Sequence, residues 1–195
     1  LMFSSWGVLS NFFPRFAGLL GFFHSSISSL IGALIFAVII FYEICISKTI
    51  SYLHGVEWMS LEFVLINCSI CIDTVAASML LVICCIALCA YLFSKTYLSS
   101  EPHDIRFFSY ICLFTCSMML LVISDNALLL FVGWEGVGIC SFLLINFWAS
   151  RLQANKAAIA ALLINKLGDI TLLIGMAWLL VCFKSVDYDI LNGIV

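Results

Sequence analysis

Six apolar stretches divide the chain, and most are long enough to cross a bilayer core of about 30 Å at 1.5 Å of helix rise per residue. The first, Leu1 to Phe13, is short and gives way to Pro14-Arg15. The pattern predicts helices over about residues 1–17, 26–46, 74–93, 107–123, 126–149 and 157–183, in a single membrane domain covering residues 1–195. Between the second and third stretches, Ser47 to Ile72 is interrupted by polar residues and rich in β-formers. Tyr52, Val56, Trp58, Phe63, Val64, Leu65 and Ile66, set around His54-Gly55, suit either a short β-hairpin on the membrane surface or an irregular loop. Ser124-Asp125-Asn126 reads as a tight turn, which makes the fourth and fifth helices antiparallel neighbours. The expected fold class is an all-α integral membrane protein of about six transmembrane helices.

Composition agrees with the pattern. Of 195 residues, 65% are hydrophobic and 10% charged, and the mean hydropathy is +1.22, whereas soluble domains carry about 25% charged residues. A net charge of −3 leaves no basic surface for nucleic acid. The first residues lack the charged region and Ala-x-Ala site of a secretory signal. Ten cysteines in a small secreted chain would suggest disulfides, but Cys84, Cys85, Cys89, Cys112, Cys116 and Cys140 lie inside apolar runs and read as small hydrophobes at helix interfaces. Cys68-x-x-Cys71 has no second pair at zinc spacing, and no iron–sulfur pattern is present. No metal or cofactor site is expected.

Lys and Arg near the helix ends set the expected orientation. Arg15, Lys95, Arg106, Arg151 and Lys156 follow the odd-numbered helices, whereas the opposite side has Lys48 and Lys184. The odd-numbered loops therefore face the cytoplasm-equivalent side, and both termini face the other compartment.

Charges within the apolar runs carry the candidate chemistry. Glu135 lies about 12 Å along the fifth helix from Ala127, and a carboxylate in hydrocarbon has to be paired, protonated or hydrated. On the sixth helix, Lys166 and Asp169 share a face at i,i+3, as do Asn165 and Asp169 at i,i+4. Counted from Ala157, Lys166 and Asp169 lie about 14 and 18 Å from the inner end, and Glu135 lies about 21 Å from Ala149, so all three have comparable depths. Burial raises a carboxyl pKa and a nearby cation lowers it again, so a movable Lys–carboxylate contact can load and release a proton. A static salt bridge pinning two helices is the other reading. Gly133, Gly136 and Gly138 around Glu135 favour close helix packing and leave room beside it for water. The remaining charges read as interfacial or capping groups: Glu43 at a helix end, Asp73 at a helix start, Asp125 in a turn. His24, His54 and His103 are expected in loops, and the sequence sets no second ligand residue at metal-binding spacing from any of them.

Phe131-Val-Gly-Trp-Glu-Gly-Val-Gly138, Asn146-Phe-Trp148, Arg151-Leu-Gln-Ala-Asn-Lys-Ala-Ala158 and Asn165-Lys-Leu-Gly-Asp169 occur in that order. With Tyr97–Phe107, Ser124-Asp-Asn126 and Asp73, they resemble chain 5 of NADH–ubiquinone oxidoreductase, respiratory complex I. The likeness runs from about Asp73 to Trp178 and, more loosely, back to Phe13. The Trp-Glu-Gly-Val-Gly form distinguishes chain 5 from the other antiporter-like subunits of that complex, and multi-subunit cation/proton antiporters are the nearest relatives it could be confused with. The resemblance implies an antiporter-like, proton-translocating subunit of the H+-translocating NADH:ubiquinone reductase, in the mitochondrial inner membrane with its N-terminus on the intermembrane-space side. Glu135, Lys166 and Asp169 would handle the proton, whereas NADH, flavin, iron–sulfur clusters and ubiquinone would belong to other subunits.

Lys166 stands where the family usually has arginine, which keeps the charge and loses the bidentate fork. The chain is also much shorter than the family, and lacks the broken helix with the partner lysine, the second inverted repeat and the lateral helix. The antiporter-like fold is therefore incomplete here. The expectation is the N-terminal piece of a split chain 5, completed by a separately encoded C-terminal portion and neighbouring an adjacent antiporter-like subunit, other membrane-arm subunits and lipids. The alternatives are a structural fragment of the membrane arm with no proton path of its own, and a cation/proton antiporter subunit.

Overall fold

The computed structural model describes residues 14–47, 50–53, 55, 57–61, 64–99, 103–188 and 193. It contains five helices and four short strands: α1 (Pro14–Ser47), β1 (Ser51–Leu53), β2 (Glu57–Leu61), β3 (Val64–Asn67), β4 (Ile70–Ile72), α2 (Thr74–Tyr97), α3 (Asp104–Ile123), α4 (Ala127–Ile145) and α5 (Leu152–Phe183). All five described helices are long and apolar enough to cross a membrane. Of the six expected segments, the first falls outside the described residues except for its last four, which belong to α1.

Among the boundaries that differ from the pattern, α2 runs on to Tyr97 and α3 starts at Asp104, and three others have a local reason. α1 begins at Pro14 rather than near residue 26. Proline is well accommodated in a first turn, where its missing N–H has no intrahelical partner in any case. The Ser25–Ser29 stretch does not break the helix, because Ser26, Ser28 and Ser29 donate their hydroxyls to the carbonyls three residues back, at 3.2, 2.9 and 2.7 Å. α4 stops at Ile145 instead of 149: Asn146 caps it, its N–H reaching the Phe142 carbonyl at 3.0 Å, and Phe147 turns away to pack edge-on against Phe107. α5 begins five residues earlier than expected, at Leu152. The Asn155 amide helps to fix that start by donating to the Ala149 carbonyl at 2.9 Å.

The Ser47–Ile72 region forms two nested antiparallel ladders, β2 on β3 and, outside them, β1 on β4. The chain therefore reverses between Leu61 and Val64, not at His54-Gly55; His54 lies outside the described residues. Gly55 has a different use. A Cβ there would sit 1.7 Å from the Cys68 carbonyl oxygen, so the β1–β2 junction can pass the β3–β4 junction only without a side chain.

Consecutive helices pack as neighbours, and α1, α2 and α3 share the core. One cluster joins Phe23 and Leu30 of α1 to Ala87 and Tyr91 of α2 and Phe108, Ile111 and Cys112 of α3. Its rings meet at 4.7 to 5.4 Å, Tyr91 hydrogen-bonds the Ser26 hydroxyl, and Lys95 lies over the Phe23 ring at 4.0 Å. A second cluster, toward the strand side, joins Ala37, Leu80, Cys84, Met119 and Ile123. Cys84, Cys112 and Cys140 are buried, and all ten cysteines are free thiols.

α4 and α5 are attached to this core from one side. Lipid tails are as apolar as leucine, so close contact rather than water exclusion holds helices together in a bilayer. Gly133 supplies that contact: a Cβ there would lie 2.7 Å from the Leu121 backbone nitrogen of α3. At one membrane face the strands, the Ser124–Asn126 turn and the segment after α5 interlock. Asp125 donates its N–H to Ser69, Ala127 to Val186 and Tyr188 to Asp125, at 3.4, 3.2 and 3.3 Å. Asn126, 1% exposed, accepts from the Leu128 N–H at 3.1 Å and donates to the Asn67 carbonyl at 3.4 Å, which caps α4 and ties it to β3. The basic residues Lys95, Arg106, Arg151 and Lys156 lie at the other end of the bundle, with Arg151 over the Trp148 ring.

Two predictions follow from this packing. Gly133→Ala should lower the melting temperature or assembly yield by the equivalent of about 1–3 kcal/mol of overpacking, whereas Gly138→Ala, whose Cβ would meet its nearest neighbour at 3.8 Å, should be tolerated; thermal unfolding of the purified assembly reads both. Burial, the bond donated to Asp73 at 3.4 Å and the Asp73 and Asp125 charges push the Cys71 thiol up to about 12. Maleimide labelling of Cys71 at neutral pH should accordingly be slow, rise with pH, and accelerate in Asp73→Asn, as quantified by peptide mass spectrometry.

Candidate functional site

The site is built on the faces of α4 and α5 that meet. Because Asn126 caps α4 and sets its start, Glu135 lies eight residues, about 12 Å, into the helix. Gly133 and Gly136 turn toward Leu121 and Ser117 of α3, which leaves Trp134, Glu135 and Gly138 for α5. From α5, Leu162, Asn165, Lys166 and Asp169 recur at the spacing of one helical face.

Glu135, Lys166 and Asp169 come together as a three-membered ion cluster. The Lys166 Nζ lies 2.6 and 2.8 Å from the two carboxylate oxygens of Glu135 and 3.2 Å from Oδ2 of Asp169. The other oxygen of Asp169 accepts a hydrogen bond of 3.0 Å from the indole N–H of Trp134. The three side chains are 26%, 46% and 7% exposed respectively, so Asp169 is enclosed while the lysine stands at the rim. One cation faces two carboxylates, a formal excess of one negative charge. A cleft of about 20 Å³, lined by Glu135, Gly138, Ile139, Leu162, Asn165, Lys166 and Asp169, opens beside them. That is room for one water, next to groups able to bond it. Chemically, the arrangement offers an ammonium shared between two carboxylates with a water position alongside.

α5 exposes most of its length: Ala158, Asp169 and Met176 are its buried residues among those described. Leu163, Ile164, Leu167, Ile170 and Ile174 are exposed around the cluster. Toward the strand face, Leu172, Met176 and Leu180 of α5 pack on Ala127, Leu128 and Phe131 of α4; at mid-membrane the ion cluster joins the two helices.

The sequence motif contained Trp134 without assigning it a task. Its signal was an indole N–H inside an apolar helix, a donor that has to find an acceptor. Asn165 lines the cleft, in line with the shared face expected for it. Arg151 and Asn155 serve the start of α5 rather than the cluster. Among the described residues no group of three or more His, Cys, Asp or Glu side chains is arranged to hold a metal ion.

Comparison with known proteins agrees with this layout. Residues 58–108 match the family described as NADH-ubiquinone oxidoreductase (complex I), chain 5 N-terminus. Residues 124–194, which include the whole ion cluster, match NADH:quinone oxidoreductase/Mrp antiporter, TM. NADH-ubiquinone oxidoreductase chain 5 of Mycosarcoma maydis is 41% identical over 162 residues, 83% of this chain and 24% of the relative. The Talaromyces marneffei protein of that name is 40% identical over 184 residues, 94% of this chain and 28% of the relative, and the Arabidopsis thaliana protein 39% over 181, or 93% and 27%. The chain thus spans about a quarter of the length of these curated relatives. In fold it is similar to a chain of the Mrp complex from Dietzia sp. DQ12-45-1b, with a TM-score of 0.77 at 22% identity over 95% of this chain and 19% of that one. It is likewise similar to a chain of the membrane-bound sulfane sulfur reductase, an archaeal respiratory membrane complex, with a TM-score of 0.80 at 16% identity over 95% and 38%. From its helices, its ion cluster and its matches on both sides of the Ser124–Asn126 turn, the chain belongs to the complex I chain 5 family, of which it represents the N-terminal portion.

Proposed function

We propose that this chain supplies part of a transmembrane proton path in an H+-translocating NADH:ubiquinone reductase, as a subunit without a redox centre of its own. The observation that carries the reading is Lys166 held between Glu135 and Asp169 inside two membrane helices, beside a cleft sized for one water. A buried acid favours its protonated form and a neighbouring ammonium favours the ionised one. While Lys166 rests on Glu135, the glutamate is a carboxylate. When the ammonium swings to Asp169, Glu135 loses its counter-ion and takes up a proton relayed from the aqueous side through the water in the cleft, which is re-protonated in the same hop; the return of the lysine expels the proton to that water chain. Asp169, held by two donors, is the fixed station, and Glu135, held by one, is the group that exchanges.

Lys166 is 46% exposed on a helix that otherwise faces outward with apolar residues. An ammonium does not rest against lipid tails when protein or water is on offer. Further helices therefore cover this face of α5, and the proposal has them come from a separately encoded C-terminal portion of chain 5. The adjacent antiporter-like subunit, other membrane-arm subunits and lipids make up the rest of the surroundings. The membrane is the mitochondrial inner membrane, with the basic end of the bundle, at Lys95, Arg106, Arg151 and Lys156, toward the matrix. α1 then runs from the matrix end, where Phe23 meets Lys95, to the strand face, and the proposed N-terminus on the intermembrane-space side requires residues 1–13 to cross the membrane as well.

Glu135→Gln keeps the size of the side chain and removes its charge and its proton. In the assembled complex this substitution should cut proton pumping about tenfold or more while assembly and NADH oxidation under an uncoupler persist. Unchanged pumping would mean that the cluster is a static clasp. Co-purification with NADH-oxidising activity, rather than sodium-dependent antiport, separates this reading from a cation/proton antiporter. The mass of the chain 5 polypeptides in the same preparation tests the split: one continuous chain would end that part of the proposal and leave the path intact.

A further inference from the structure

We propose that Trp134 is a positioning residue: its indole N–H holds one oxygen of Asp169 and thereby sets how Lys166 divides itself between Asp169 and Glu135. The inference rests on the proton-path reading above and adds to it the group that tunes the exchange.

Trp134 is not a core filler. It is 46% exposed and belongs to none of the buried clusters. Its one polar atom is committed to Oδ1 of Asp169 at 3.0 Å. Trp134 and Glu135 are consecutive on α4 and diverge by about 100° around its axis; Lys166 and Asp169 are one turn apart on α5. The two pairs cross, indole to aspartate and glutamate to lysine, with the lysine also reaching the aspartate at 3.2 Å.

The consequence follows from counting acceptors. A carboxylate binds an ammonium most strongly when both of its oxygens are free to turn toward it. Glu135 offers both, at 2.6 and 2.8 Å, whereas Asp169 offers Lys166 only Oδ2 because the indole occupies Oδ1. An indole N–H is a donor only and does not titrate in the physiological range, so this bias is constant through a pumping cycle. It weakens the aspartate as a competitor and keeps the lysine on the glutamate at rest. It also anchors the 7%-exposed Asp169, which would otherwise depend on the lysine alone and keep it from leaving.

The experiment is Trp134→Phe and Trp134→His in the assembled complex, with proton pumping measured and the side chains located by high-resolution cryo-electron microscopy. Phenylalanine removes the donor, whereas histidine keeps a ring N–H. Trp134→Phe should move the Lys166 ammonium out of hydrogen-bond reach of Glu135 and onto both oxygens of Asp169. Pumping should fall about tenfold, the scale of a hydrogen bond to a charged group. Trp134→His should restore the Glu135 contact and most of the pumping. Lysine density that stays on Glu135 in Trp134→Phe overturns the inference, and so do two variants that behave alike. The position of Lys166 is read independently of pumping. If Glu135→Gln pumps normally yet Trp134→Phe relocates the lysine, the proton-path reading falls and the positioning role stands. If Glu135→Gln abolishes pumping and Trp134→Phe changes neither pumping nor the lysine, the positioning role alone falls.

Discussion

A carboxylate inside a bilayer has few options: it binds a cation, it binds water, or it takes up a proton. Glu135 and Asp169 meet that constraint by sharing Lys166, and most of what is specific in the α4–α5 pair serves the sharing. The absence of side chains at Gly133 and Gly136 lets α4 lie against α3, so that its outward face is free to carry the charge. The Asn126 cap fixes the depth at which that charge sits. On α5 a charged residue, Asp169, is one of the three buried side chains among those described, a reversal of the usual rule that apolar residues go inside.

The two parts of the bundle consequently differ in kind. α1, α2 and α3 are bound by interlocked aromatic and aliphatic side chains, a contact that works only in one arrangement. α4 is wedged against them by backbone proximity. α5 is held at mid-membrane by hydrogen-bonded charge, a contact whose strength changes when a proton arrives or leaves. A rigid frame with one helix held at its middle by charge is what a proton-dependent movement requires.

The sequence and the structure can be compared residue by residue. Glu135 and the Lys166/Asp169 pair were legible because a charge in an apolar run cannot be there by default, and i,i+3 spacing puts the latter two on one face whatever the helix boundaries. The starting point at Ala157 was five residues late, and the contact survived the error because face depends on relative spacing, not on where the helix begins. The nested strand pairing was less legible. His54-Gly55 resembled a turn, but a glycine needed for close approach and one needed for chain reversal look identical in a single sequence. The pattern puts the start of α1 near 26 instead of at Pro14; the proline occupies the first turn, and Ser26, Ser28 and Ser29 bond back to the carbonyls three residues before them. Trp134 was visible as a letter and silent as a partner, since its acceptor lies 35 residues away on another helix.

The interlocking at the strand face has a mechanical meaning. Ala127 and Val186 bond directly, as do Asp125 and Tyr188, so the entrance to α4 and the exit from α5 are stitched to the same three-residue turn. At the opposite end the chain itself joins the two helices through residues 146–151, where Arg151 donates to the Trp148 carbonyl and the Asn155 amide to that of Ala149. α5 is thus pinned to α4 at both ends, which leaves its middle as the stretch free to shift. A loosening at Lys166 is therefore taken up by bowing or rotation of α5 between its two fixed ends, not by a swing of the basic rim.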